Sequence, residues 1–76
     1  MSPGAPVLVY TTAGCPYSAA ERARLEAAGV AYREIDVSLR PETIPELLKL
    51  TRGRRIVPVV VEGGRIRIAP EGGTTF

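Results

Sequence analysis

The sequence predicts an α/β domain with elements in the order βαβαββ. Short apolar, β-branched runs alternate with two helix-forming segments, and a Gly-Gly pair joins the last two runs as a hairpin. A third observation marks where chemistry belongs. Cys15, the only cysteine, falls where the first strand hands over to the first helix.

The first strand is Val7 to Thr11, a β-branched and aromatic run expected to be buried on both faces. Ala13-Gly14 is a turn signal, and Cys15-Pro16-Tyr17-Ser18 opens the first helix, which runs from Pro16 to Ala28 on strong helix propensity and stops at Gly29. Its amphipathic pattern is blurred by five alanines, whose small side chains suit close packing on a sheet. The second strand spans Val30 to Val37, with Ile35 and Val37 inward. Ile44, Leu47, Leu48 and Thr51 then repeat at helical spacing. Pro45 cannot sit deep in a helix begun at Pro41, so the regular helix is expected from about Thr43, where Thr43-Ile44-Pro45-Glu46 has the form of a capping box. Val57 to Val61 is the densest apolar run and predicts one central strand, although Pro58 cannot donate to a ladder. Gly63-Gly64 turns it into Arg65 to Ile68, an edge strand with arginines on one face. Residues 70–76 show no helix pattern and are expected to form an irregular tail; residues 1–5 form a short flexible lead-in.

Seventy-six residues make one domain, 1–76. With one cysteine and no histidine, an intrachain zinc site and a His-assisted nucleophile are excluded, and no metal site is expected. The unpaired cysteine fits a reducing compartment, so the expected location is cytoplasmic. No apolar run is long enough to span a membrane, and none is expected as a partner. The net charge of +2 is mild. Arg52, Arg54, Arg55, Arg65 and Arg67 lack interleaved aromatics, which argues against nucleic acid and for a solvated face or a small-anion site.

At a strand-to-helix junction Cys15 meets the partial positive charge and unpaired N–H groups of the helix terminus, which favour the reactive thiolate. Pro16 at the first helical position strengthens that reading over a small buried hydrophobe.

Cys15-Pro16-Tyr17-Ser18, Val57-Pro58 opening a strand and the late Gly72-Gly73-Thr74, in this element order, resemble the glutaredoxin family of the thioredoxin fold. The resemblance runs from about Val7 to Thr74. It also rests on Val9-Tyr10-Thr11, Gly29-Val30-Ala31-Tyr32, Glu34-Ile35-Asp36-Val37 and Arg54-Arg55-Ile56-Val57-Pro58-Val59. Within it, Gly53 to Glu62 and Gly72-Gly73-Thr74 look like the short bacterial Uxx-star branch, which carries selenocysteine or cysteine at the first active-site position. The resemblance implies a thioredoxin-like, glutaredoxin-type four-stranded mixed sheet with two helices and no C-terminal helix. It also implies a monothiol oxidoreductase with Cys15 as nucleophile. Pro16 fixes the first turn and Tyr17 offers an aromatic wall. Ser18 offers its hydroxyl to the thiolate but cannot resolve a mixed disulfide; otherwise it is a helical surface residue.

By the same resemblance Pro58 is cis beside the cysteine, and the backbone of Val57 pairs with a bound thiol peptide. Gly72, Gly73 and Thr74 form a carboxylate nest or a flexible tail. Arg54 and Arg55 pair with a substrate carboxylate or are solvated. Thr12 stands where glutathione-using relatives carry Lys, and the glycine pair comes later than usual. The implied cosubstrate is glutathione or another low-molecular-weight thiol, with no bound cofactor. The implied partners are small-molecule thiols and oxidised protein thiols, and the chain is a monomer or weak dimer. A monothiol cycle further predicts that Cys15 is exposed and acidic. Two other readings are a dimeric Fe–S module, against which Pro16-Tyr17 speaks, and a redox-inactive interaction domain.

Overall fold

The computed structural model describes residues 7–76, so the lead-in at 1–5 lies outside the described residues. The chain forms β1 (Val7–Thr11), α1 (Pro16–Ala27), β2 (Tyr32–Asp36), a 3-10 turn (Pro41–Thr43), α2 (Ile44–Thr51), β3 (Ile56–Val57), β4 (Val59–Glu62), β5 (Arg65–Ile68) and β6 (Thr74–Thr75). Strands β2-β1-β4-β5 make a mixed sheet in which only the β1–β2 pair is parallel. A second, two-stranded sheet pairs β3 with β6. This is a thioredoxin-like α/β fold.

Alternation along β1 sends its side chains to both faces, as a strand covered on both sides requires. Val7 and Val9 join Val60 and Leu25 of α1, while Tyr10 joins Val59, Val37 and Leu47 of α2. The helices therefore cover opposite faces, and Cys15 belongs to the α2-side cluster together with Val57. On the α1 side the buried carboxylate of Glu21 is satisfied by Arg24 and lies 3.6 Å from Arg67 of β5.

Four boundaries differ from the sequence reading, one being the second strand, which covers only Tyr32–Asp36 of the expected Val30 to Val37. The single strand expected over Val57 to Val61 is divided at Pro58, which has no N–H for the ladder: β4 continues the main sheet while Val57 turns to β6. The tail is not irregular throughout, because Thr74 pairs with Val57 and Thr75 with Ile56. The capping box at Thr43 does not form. Thr43 already lies in the 3-10 turn with helical dihedrals, and its hydroxyl donates back to the Arg40 carbonyl at 2.7 Å. By contrast α1 ends one residue before Ala28, with Gly29 left-handed at φ +70, as its stop signal requires.

Candidate active site

Cys15 is the N-cap of α1. Its backbone is extended (φ −86, ψ 111), its N–H reaches the Thr12 carbonyl at 3.4 Å, and its Sγ accepts the Ser18 N–H at 3.4 Å. Pro16 has no N–H to leave unpaired at the first helical position, so the loop enters the helix without an orphan donor there. The sulfur thus takes the place a capping oxygen usually holds. On its other side the thiol donates to Thr74 Oγ1 at 3.3 Å, a contact that reverses direction when the sulfur ionises and the hydroxyl becomes the donor. Ser18 is fully buried rather than a helical surface residue, and its Oγ has no hydrogen-bond partner among the described residues. That hydroxyl is available to a thiolate.

These contacts decide the acidity. Burial pushes the Cys15 thiol up, but the hydroxyls of Ser18 and Thr74 and the backbone N–H groups of Ser18 and Tyr17 outweigh it. The thiol is held below its ordinary value. Acidity agrees with the sequence reading; exposure does not. Cys15 is only 4% exposed. Cys15 packs in the α2-side cluster, and the tail lies against it, with Thr74 at the sulfur and Gly72 under the Tyr17 ring.

Glycine is needed at both positions of the pair. A Cβ on Gly72 (φ +121) would stand 2.7 Å from the Tyr17 ring, and one on Gly73 would stand 2.6 Å from the Val57 carbonyl oxygen. The Gly72 N–H donates to the Ala69 carbonyl at 3.0 Å, so it is not free to receive a carboxylate. Val57 is fully buried and its strand partner is Thr74; the Val57–Pro58 bond is cis. The arginines chosen from sequence lie elsewhere. Arg54 is exposed, with its backbone held by Thr51 Oγ1. Arg55 donates from Nε to the Phe76 carbonyl at 2.9 Å and stacks its guanidinium 4.9 Å from the Phe76 ring.

A cleft of about 510 Å³ opens beside Cys15, lined by the loop 12–16, by Ala19 and Arg22 of α1, and by Asp36. Thr12 thus lines the cleft beside Cys15. Arg22 and Asp36 were missed in the sequence reading, although both carry signals. Cys15, Ala19 and Arg22 follow i, i+4, i+7 along one helix face. Parallel pairing sets Asp36 opposite Thr11 at the carboxyl end of the sheet, where ligands of open α/β sheets bind. Arg22 is already paired to Glu34 at 2.6 Å, and Glu34 also accepts from Thr11 at 2.8 Å.

A thioredoxin-like sheet with a cysteine capping its first helix defines the class of protein. The comparison with known families then makes it specific: the glutaredoxin family model matches residues 7–67, and the chain belongs to that family. It is 38% identical over 55 residues to glutaredoxin 1 of Rickettsia conorii, covering 71% of this chain and 54% of that protein. A glutaredoxin of Pseudomonas aeruginosa is 38% identical over 55 residues, covering 72% of this chain and 64% of that one. The aligned part thus spans between about half and two thirds of the relatives' length.

Proposed function

We propose that this chain is a monothiol thiol–disulfide oxidoreductase with Cys15 as its nucleophile. The observation that carries the reading is Sγ at the N-cap of α1, stabilised as a thiolate by the Ser18 N–H and by hydroxyls, in a chain with no second cysteine. The thiolate attacks one sulfur of R–S–S–R′. A Cys15–S–S–R bond forms, and R′–S⁻ leaves and takes a proton from water. An external thiolate R″–S⁻ then attacks the R sulfur, forming R–S–S–R″ and returning Cys15 as thiolate. Ser18 and Thr74 stabilise the sulfur, Pro16 sets the turn, and Tyr17, Thr12 and the cleft walls orient the incoming group.

The external thiol in this reading is glutathione or another low-molecular-weight thiol, and oxidised protein thiols are the other partners. The names of the relatives support glutathione-type chemistry. Thr12 and the late glycine pair leave room for a different thiol. The chain acts as a cytoplasmic single domain, monomer or weak dimer, of the Uxx-star branch in its cysteine form.

The test is Cys15 alkylation rate against pH, with intact mass confirming one modification, followed by disulfide challenge and release with added thiol. A midpoint below the ~8.5 of a free cysteine supports the reading. A midpoint at or above it, or reaction only on unfolding, sinks it. The 4% exposure of Cys15 favours a second reading, a thioredoxin-fold interaction domain whose thiol has lapsed; labelling only after denaturation would support that one.

A further inference from the structure

We propose that the C-terminal strand is a strap latched over the Cys15 sulfur, and that it has to lift before a disulfide reacts there. The inference rests on the reading of Cys15 as a nucleophile. A disulfide sulfur has to close from van der Waals contact to a bond of about 2.05 Å. Even with the cleft alongside, Cys15 is 4% exposed, and Thr74 Oγ1 stands 3.3 Å from Sγ. With the tail docked, Thr74 occupies one flank of the sulfur and little of Cys15 is open to a second sulfur with substituents.

The tail is also built to move as a unit. It leaves β5 through Ala69 (φ +47), turns at Pro70-Glu71, and is closed by the Gly72 N–H on the Ala69 carbonyl. Only two ladder pairs follow, Thr74 with Val57 and Thr75 with Ile56, and both threonines are exposed. Apart from the Phe76 ring, which packs partly buried on the α2-side cluster, the segment buries little surface and belongs to the low-stability end of a fold. Its outer end is fixed by Arg55 and Phe76. The Phe76 N–H donates to the Arg55 carbonyl at 3.0 Å, Arg55 Nε donates to the Phe76 carbonyl at 2.9 Å, and the guanidinium lies over the ring. Arg55 is thereby a latch.

Phe76→Ala and Arg55→Gln test it. The second-order rate of mixed-disulfide formation with an aromatic disulfide is measured where Cys15 is fully ionised, alongside exchange of the amide at position 76. Arg55→Gln should react about two- to fivefold faster than the unmodified chain, the population equivalent of one exposed cation–π contact. Phe76→Ala, which also loses the packing of its ring on the α2-side cluster, should gain at least as much, with faster amide exchange in both. Unchanged rates despite fast exchange overturn the strap, and a residue-76 amide still protected in both variants overturns the latch. Reaction in no form until unfolding overturns the nucleophile reading as well, whereas equal, fast reaction in all three overturns the strap alone. Should either variant fold poorly, the unmodified chain suffices: Phe76 amide exchange must accelerate once Cys15 carries the mixed disulfide. Equal protection before and after overturns the proposal.

Discussion

Gly73→Ala is the substitution whose outcome separates a movable tail from a fixed part of the core. Its Cβ would lie 2.6 Å from the Val57 carbonyl oxygen, 2.8 Å from Ala69 Cβ and 3.0 Å from Ile56 Cγ1. Carbon–oxygen contacts settle near 3.3–3.6 Å, so the first of these needs a shift of about 0.7 Å. Val57 cannot supply it, being fully buried at the end of β3, one residue before β4. The strap has to yield instead. Overpacking of this kind costs about 1–3 kcal/mol. The few bonds that hold the strap, at about 0.5–1.5 kcal/mol each, are of the same size. Undocking therefore becomes competitive, and the open population rises roughly five- to a hundredfold, taking 1.4 kcal/mol per factor of ten. The assay is the rate of Cys15 reaction with an aromatic disulfide at a pH of full ionisation, run beside thermal unfolding. The expected result is a faster reaction with a transition still cooperative and only slightly lowered. A sharply lowered Tm with an unchanged rate would refute the reasoning, because Gly73 would then belong to the cooperative core.

Three further outcomes follow from contacts already described. Because the native thiol is held below its unfolded value, the unfolded chain binds more protons between the two pKa values, and stability rises with pH across that window. The contribution is complete above the unfolded pKa and lost as pH falls through the folded one; denaturant midpoints of the parent should show that rise and those of Cys15→Ser should not. Ser18→Cys places a second sulfur beside the N–H that now reaches Sγ, and after incubation with an excess small-molecule disulfide, which is reduced to two thiols, intact mass should show a loss of about 2 Da as an internal disulfide closes. Thr51→Val removes a hydroxyl that donates to the Arg54 carbonyl at 2.6 Å and accepts the Arg54 N–H at 3.0 Å. It should destabilise by about 1–2 kcal/mol, read from urea unfolding.

Most of the fold is legible in the sequence because period and punctuation agree. Gly29 stops α1, Gly63-Gly64 turns β4 into β5, and the β-branched runs become the strands of the main sheet. What escapes the sequence is non-local. Nothing local to Val57 says that its partner is Thr74, seventeen positions on across a hairpin, so a divided strand reads as one and a paired tail reads as irregular. The site divides in the same way. Cys15 and Ser18 are set by one helical turn, and their roles are visible as a tetrapeptide. The buried state of the sulfur comes from distant partners, the α2-side cluster and the tail, and Arg55 resembles a ligand for substrate until the structure shows Phe76 against it. Arg22 and Asp36 follow from helix and ladder spacing but only once Cys15 is taken as the reference point.

The means by which the sulfur is made acidic has a consequence of its own. Among the described residues Arg22 is the one cation lining the cleft, and its guanidinium is committed to Glu34 at 2.6 Å. The groups that lower the thiol are neutral donors: two hydroxyls and the backbone N–H groups of Ser18 and Tyr17. Short-range dipoles next to a buried sulfur are screened little by mobile ions, whereas an attraction across the cleft to an exposed cation weakens over a Debye length of about 10 Å at 0.1 M salt. The alkylation midpoint of Cys15 should therefore hardly move between low and high ionic strength. Thr74→Val should raise it at every salt concentration, and Arg22→Gln should leave it nearly in place. A midpoint that climbs with salt and in Arg22→Gln would transfer the thiolate's stabilisation from the helix cap and hydroxyls to Arg22.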